Sequence, residues 1–137
     1  MTRPRSPQSE ISPKADKKRI LYIEDDALVR AEIGVLLEML GYEVVFAGDA
    51  PEARKRFNEN PVDLVLTDLY MPGGLGTELL KDFHRAKPDL PVIVMTGFPS
   101  DETIRQTLIS GGYTYLAKPV SGDQLRTVIE RALLEKD

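Results

Sequence analysis

The sequence predicts an α/β domain: a doubly wound, five-stranded parallel sheet in the order 2-1-3-4-5, carrying five helices on its two faces. Two observations lead there. Five short runs rich in β-branched and aromatic residues, each bounded by turn or charged residues, read as strands. The segments between them repeat apolar residues at three- and four-residue spacing, as amphipathic helices do, and such alternation of strand with helix favours a parallel sheet covered on both faces. At 137 residues, 42% of them hydrophobic, the chain fits one domain with one sizeable core and leaves no room for a second.

Residues 1–18 precede the first strand. Pro4, Pro7, Pro13, Ser6, Ser9 and Ser12 make this stretch too polar to pack, so it reads as a disordered tail or linker, with the folded domain over residues 19–137. The first strand is Ile20 to Ile23. Ile33, Leu36, Leu37 and Leu40 then follow helical spacing and stop at Gly41, a C-terminal signal. Tyr42 to Phe46 is the second strand. Asp49, followed by Pro51 and Glu52, opens the second helix as a cap with proline and an acid in the first turn. Val62 to Thr67 is the third strand, and the glycines of Gly73-Gly74-Leu75-Gly76 make a tight loop into the third helix. Pro91 to Thr96 is the fourth strand, and Ser100-Asp101-Glu102 starts the fourth helix with acids at the favourable end of the dipole. Tyr113 to Ala117 is the fifth strand. Leu125, Val128, Ile129, Ala132 and Leu133 mark a last helix docked on the core.

Composition excludes several classes of function. Cysteine is absent, which rules out disulfides and thiolate metal sites. No apolar run approaches the roughly 20 residues that span a bilayer, and the N-terminus has no signal-peptide hydrophobic region, so a cytoplasmic protein is expected. Charge is unevenly placed: the first 19 residues hold six basic against two acidic side chains, net +4, which leaves −8 on the remainder of a chain whose net charge is −4. A folded body of that sign repels phosphate backbones, so direct nucleic-acid binding is not expected of it.

The polar residues at the strand ends carry the chemistry. Strand 1 runs into Glu24-Asp25-Asp26, strand 3 into Thr67-Asp68, strand 4 into Thr96-Gly97 and strand 5 into Lys118-Pro119. In the order 2-1-3-4-5 all of these fall on one sheet edge, and strands 1 and 3 meet at the switch point where ligands bind. Singly, each has a plain structural account: dipole compensation for the acid run, the better account for Asp26; a turn or cap for Asp68; backbone hydrogen bonding for Thr96; a loop for Lys-Pro. Together they make a coherent site. Crowded carboxylates either raise a pKa or recruit a cation, and oxygen ligands without His or Cys favour Mg²⁺. Lys118 and the Thr96 hydroxyl could then hold phosphoryl oxygens while Asp68 acts as a carboxylate nucleophile.

The strings ILYIEDDALVR, VDLVLTDLYMPGGLGTELL, PVIVMTG and YLAKPV, in this order, resemble the receiver domain of two-component response regulators from Arg19 to the C-terminus. The resemblance implies a flavodoxin-like fold. It also implies Asp68 as phosphoacceptor, Asp25 as a direct Mg²⁺ ligand, Glu24 as a partner acting through metal-bound water, and the Tyr70 backbone carbonyl as a further metal ligand. Thr96 and Lys118 become phosphoryl contacts, Thr96 and Tyr115 a switch pair, and Lys118-Pro119 a cis peptide, which for X-Pro costs only about 0.5–1 kcal/mol. Tyr70 and Phe98 border the path of hydrolytic water in similar receivers; as large aromatics they would slow loss of the phosphoryl group. Glu24 stands where aspartate is commoner in the family, and His84, on a charged helical stretch, suggests no ligand.

The resemblance therefore implies a signalling switch. A histidine kinase or histidine phosphotransfer protein supplies the phosphoryl group, and the surface formed by helix 4, strand 5 and helix 5 changes its affinity for an output partner. Homodimerisation on phosphorylation is compatible with this. The chain would then be no enzyme beyond catalysing its own phosphorylation and dephosphorylation. Two other readings compete: a Mg²⁺-dependent phosphohydrolase of the aspartate-nucleophile type, which lacks an acid two residues after Asp68 because Tyr70 stands there, and an interaction module independent of phosphorylation.

Overall fold

The computed structural model describes residues 17–71 and 74–135, so most of the expected tail, residues 1–16, lies outside the described residues. Five strands, β1 (Arg19–Ile23), β2 (Glu43–Ala47), β3 (Leu64–Asp68), β4 (Val92–Thr96) and β5 (Thr114–Ala117), alternate with five helices, α1 (Ala27–Met39), α2 (Ala50–Glu59), α3 (Gly76–Ala86), α4 (Asp101–Ile109) and α5 (Gly122–Glu135). All strand pairs in the main sheet are parallel, in the spatial order β2-β1-β3-β4-β5. This is the expected 2-1-3-4-5 arrangement. Between β3 and α3 the chain adds a small antiparallel pairing of Tyr70–Met71 with Gly74–Leu75, which the sequence pattern did not suggest.

Side-chain alternation along the strands divides the interior in two. Leu21, Ile23, Val65, Val92 and Val94 face one side, where Ala53 and Phe57 of α2 and Leu79, Leu80 and Phe83 of α3 cover them. Ile20, Tyr22, Leu64, Leu66, Ile93, Met95 and Leu116 face the other, under Ile33 and Leu37 of α1 and Leu125, Ile129 and Ala132 of α5. Both faces of the central strands are therefore buried, which explains why they read as continuous apolar runs. On the α2/α3 side the Phe57 and Phe83 rings stack at 4.3 Å between centroids, with the Lys87 ammonium 5.4 Å above Phe57. Truncating a fully buried leucine such as Leu79 would cost about 2–5 kcal/mol.

Local chemistry sets the element ends. Asp49 caps α2 by accepting from the Glu52 amide at 2.8 Å, and Ser100 and Thr103 form a reciprocal capping box on α4. Ser121 and Gln124 do the same for α5. Tyr42, expected in the second strand, instead closes α1: Gly41, at φ +100°, donates to the Glu38 carbonyl and Tyr42 to that of Leu37, a Schellman ending. The third strand starts at Leu64 rather than Val62 and extends through Asp68, whose partner across the sheet is Met95. Gly76 opens α3 with no side chain because none fits. A Cβ there would lie 2.7 Å from the Asp68 carbonyl oxygen and 2.9 Å from that of Leu69.

Candidate functional site

In a parallel sheet every strand delivers its carboxyl end to the same edge, and here the helices after β1 and β3 depart to opposite faces, opening a crevice between them. Glu24 is the first residue past β1. Its amide continues the ladder to the Ala47 carbonyl, its carboxylate Oε2 accepts from the Asp26 amide at 3.2 Å, and its side chain is almost wholly buried. Asp25 is exposed at the mouth. Asp68, the last residue of β3, is 8% exposed, and one carboxylate oxygen from each of Glu24, Asp25 and Asp68 lies within 4.8 Å of the others. These three form a potential metal site. Three oxygen donors and no nitrogen or sulfur suit a hard cation that keeps part of its water shell.

Among the described residues, one ammonium pairs with this cluster. Lys118, brought in by the chain leaving β5, places Nζ 2.8 Å from Asp68 Oδ2 and 3.2 Å from Glu24 Oε1. Its amide donates to the Thr96 carbonyl at 2.8 Å, and the Lys118–Pro119 peptide is cis. The electrostatics follow from this crowding. Burial, then the Asp68 carboxylate, raises the Glu24 pKa above the usual carboxylate range, against the pull of Lys118 and the Asp26 amide. Burial by itself would lower the Lys118 pKa, but its hydrogen bond to Asp68 and the charges of Asp68 and Glu24 outweigh it and hold the ammonium protonated. Tyr22 lies fully buried on β1; burial and then the Glu24 and Asp68 charges push its phenol far up, and its hydroxyl has no hydrogen-bond partner among the described residues.

The other expected residues take varied places. Thr96 is buried at the end of β4, where its Oγ1 accepts from the Phe98 amide at 3.1 Å and keeps its own proton to donate. Tyr115 is half-buried in β5, opposite Val94 in the ladder. Phe98 stands 80% exposed after β4. The main chain of Tyr70 belongs to the short antiparallel pair; its side chain lies outside the described residues. Asp26 takes the structural role that suited it best, capping α1 by accepting from the Leu28 and Val29 amides at 3.0 and 3.2 Å. His84 is exposed, with its ring packed against Gly111.

Sequence reasoning missed Arg30. Its Nη1 donates to the Glu24 main-chain carbonyl at 2.7 Å. A detectable signal existed, since a cation near the start of a helix opposes the dipole and so asks for a specific partner.

The family model for the response regulator receiver domain matches residues 20–130. The transcriptional regulatory protein ZraR of Escherichia coli K12 is 35% identical over 118 residues, covering 86% of this chain and 27% of ZraR. The CAI-1 autoinducer sensor kinase/phosphatase CqsS of Vibrio cholerae is 37% identical over 112 residues, covering 80% of this chain and 16% of CqsS. The chain thus spans about a quarter or less of these relatives. Among solved structures, the CheY-like receiver domain protein of Methanospirillum hungatei superposes with a TM-score of 0.84 at 34% identity, covering 88% of this chain and 96% of that one. With the parallel order β2-β1-β3-β4-β5 and the carboxylates gathered at its β1/β3 crevice, the chain belongs to the receiver domain family of two-component response regulators.

Proposed function

We propose that Asp68 is the phosphoacceptor of a phosphorylation-driven switch, held in readiness by Lys118 and completed by Mg²⁺ on Glu24, Asp25, Asp68 and the Tyr70 carbonyl. The observation that carries this reading is the geometry at the switch point: a buried carboxylate 2.8 Å from an ammonium, with two further carboxylates within 4.8 Å. Bound there, Mg²⁺ would offset the charge of the phosphoryl oxygens and of the three acids. The rest of the chemistry belongs to the chain. An Asp68 carboxylate oxygen attacks the phosphorus of a phosphohistidine on a histidine kinase or phosphotransfer protein, the N–P bond breaks, and its electron pair stays on the imidazole. An acyl phosphate results. Lys118, already within reach, follows the new charge and pairs with a phosphoryl oxygen, and the Thr96 hydroxyl donates to another.

That second contact couples chemistry to conformation. Drawing Thr96 toward the phosphoryl group takes its Oγ1 from the Phe98 amide and vacates space into which Tyr115 turns, which alters the surface of α4, β5 and α5 toward an output partner. Water attacks the acyl phosphate later and restores the carboxylate. The chain modifies only itself. The proposed site of action is the cytoplasm; among the described residues no helix is long and apolar enough to cross a membrane. A transcriptional regulator and a sensor kinase/phosphatase both contain a related segment, so either kind of larger protein suits this switch.

The test is intact-mass analysis after exposure to acetyl phosphate and Mg²⁺. Wild type should gain one acid- and base-labile phosphoryl group and Asp68→Asn none; undiminished labelling of the variant would remove Asp68 from this role.

A further inference from the structure

We infer that Arg30 is a positioning residue for the metal site: its guanidinium fixes the Glu24–Asp25 peptide and so aims the two acids that follow β1. This rests on the proposed phosphoacceptor function and extends it to a residue outside the carboxylate cluster.

The ladder explains why such a residue is needed. β1 pairs with β2 and β3 only as far as Ile23. Beyond that point the Glu24 amide still reaches Ala47, but the Glu24 carbonyl has left the ladder while its residue remains 1% exposed. A buried carbonyl without a partner is costly, and it leaves the peptide free to rotate. Arg30 supplies the partner at 2.7 Å. The same peptide carries Asp25 on its far side, so any rotation of it would swing the exposed acid out of the 4.8 Å cluster.

Three features favour this role over that of an incidental surface arginine. Arg30 lies one turn into α1, at the end of the helix dipole that disfavours a cation, and the acid at that end, Asp26, spends Oδ1 on the Leu28 and Val29 amides. Its Nη1 also lies over Gly48, where a Cβ would come within 3.2 Å, so the glycine at the β2–α2 junction leaves room for it. Beside the same point, with its Oε1 3.7 Å from it, Glu52 accepts from the Gly48 amide at 2.9 Å, and the charges of Glu52 and Arg30 attract each other across this junction. The guanidinium thus spans from the start of α1 across the turn after β1 to the turn after β2. Glu24 is held at four points, main-chain and side-chain, with the Arg30 bond completing the set.

The sign of the expected effect separates positioning from charge. If Arg30 acted only as a nearby positive charge, removing it would strengthen Mg²⁺ binding, because a cation repels a cation. Positioning demands the reverse. Titration calorimetry of the full chain with MgCl₂ should show about a tenfold rise in Kd for Arg30→Ala, about 1.4 kcal/mol. Arg30→Lys keeps the charge and one donor and should return to within about threefold of wild type. In acetyl phosphate labelling, Arg30→Ala should need correspondingly more Mg²⁺ for half-maximal rate, with the rate at saturating Mg²⁺ within about twofold of wild type. Unchanged or tighter Mg²⁺ binding in Arg30→Ala would overturn the inference. So would an equal loss of metal affinity in Arg30→Ala and Arg30→Lys together with a fall in the metal-free melting temperature, which would mark a purely structural arginine. Wild type that binds Mg²⁺ and accepts phosphate beside such a result would leave the receiver reading intact; wild type that does neither would overturn both.

Discussion

Both edges of the sheet carry an ionic cluster, and the two are built on opposite plans. At the amino-terminal edge Arg19 donates through its amide to Asp63 at 2.8 Å, through Nη2 to Glu43 at 3.3 Å and through Nη1 to the Pro61 carbonyl at 3.1 Å. These bonds tie β1, β2 and the approach to β3 together at their starts, and about a quarter to a third of each of the Arg19 and Glu43 side chains stays in water. At the carboxyl-terminal edge Lys118 is shared by two carboxylates that water barely reaches, with a third beside them. The first cluster distributes donors over acceptors. The second concentrates negative charge that its one lysine does not cancel. Burying unmatched charge opposes folding, so a cluster of this kind points to a ligand that supplies the missing positive charge.

Four experiments break or sharpen the contrast. The largest effect is all-or-none: with acetyl phosphate and Mg²⁺, Asp68→Asn should show no phosphoryl gain by mass, while Asp63→Asn at the opposite edge should label like wild type. Next, removing each edge's cation should differ in cost. Lys118→Met strands two buried acids and should lower metal-free stability in urea at neutral pH by about 2 kcal/mol, somewhat less than the loss for a fully enclosed pair. Arg19→Met should lose only about 0.5–1 kcal/mol, since its groups remain partly solvated. Equal losses would mean that the two clusters do the same structural work.

Metal should act at one edge alone. With a dissociation constant of about 1 mM, 10 mM free Mg²⁺ should add about 1.4 kcal/mol by mass action, or about 4–6 °C in melting temperature. Asp25→Asn should abolish that gain and Glu43→Gln should keep it; a wild-type melting curve indifferent to Mg²⁺ would count against the site. The smallest effect is in pH. Glu24 has a raised pKa in the fold, through burial and then Asp68, so its contribution to stability is present in full below the ordinary carboxylate range and is lost as pH rises through the raised value. Metal-free wild type should therefore gain relative to Glu24→Gln when both are taken from pH 7 toward mildly acid conditions. Parallel curves for the two proteins would show that Glu24 titrates as it does in the unfolded chain.

The contrast also shows how far the sequence could be read. The parallel order and the convergence of Glu24, Asp25, Asp68, Thr96 and Lys118 were legible because strand-end residues inherit their location from topology: once the order is known, the edge is known. Tyr42 was misplaced because an aromatic beside Val44 and Val45 has every mark of a strand, whereas its amide is spent on the Leu37 carbonyl at the end of α1. Pairings between side chains were less legible. Lys118 and Glu24 are 94 positions apart, and nothing in spacing reports that one ammonium serves both Glu24 and Asp68. Phe98, expected to border the path of hydrolytic water from its place two residues after Thr96, stands 80% exposed, and the direction of a ring just past a strand end is not written in its position. Arg30 escaped because its partner is a main-chain carbonyl, which no residue type announces.

The glycine at the start of α3 has a mechanical consequence. On that flank, α3 meets the end of β3 backbone against backbone, with the Gly76 amide 2.6 Å from the Leu69 carbonyl and clearance so small that a methyl group could not enter. At the turn after β4, Gly97 has nothing within 4 Å of where a side chain would begin, and residues 97 to 100 all lie open to water before α4, which buries only Thr107 fully. Strand β3 thus meets α3 in tight backbone contact, while the turn from β4 into α4 stands open. Under the proposed modification of Asp68, the tight junction with α3 has no room to move and the open turn after β4 does, so the larger displacement is expected at residues 97 to 100.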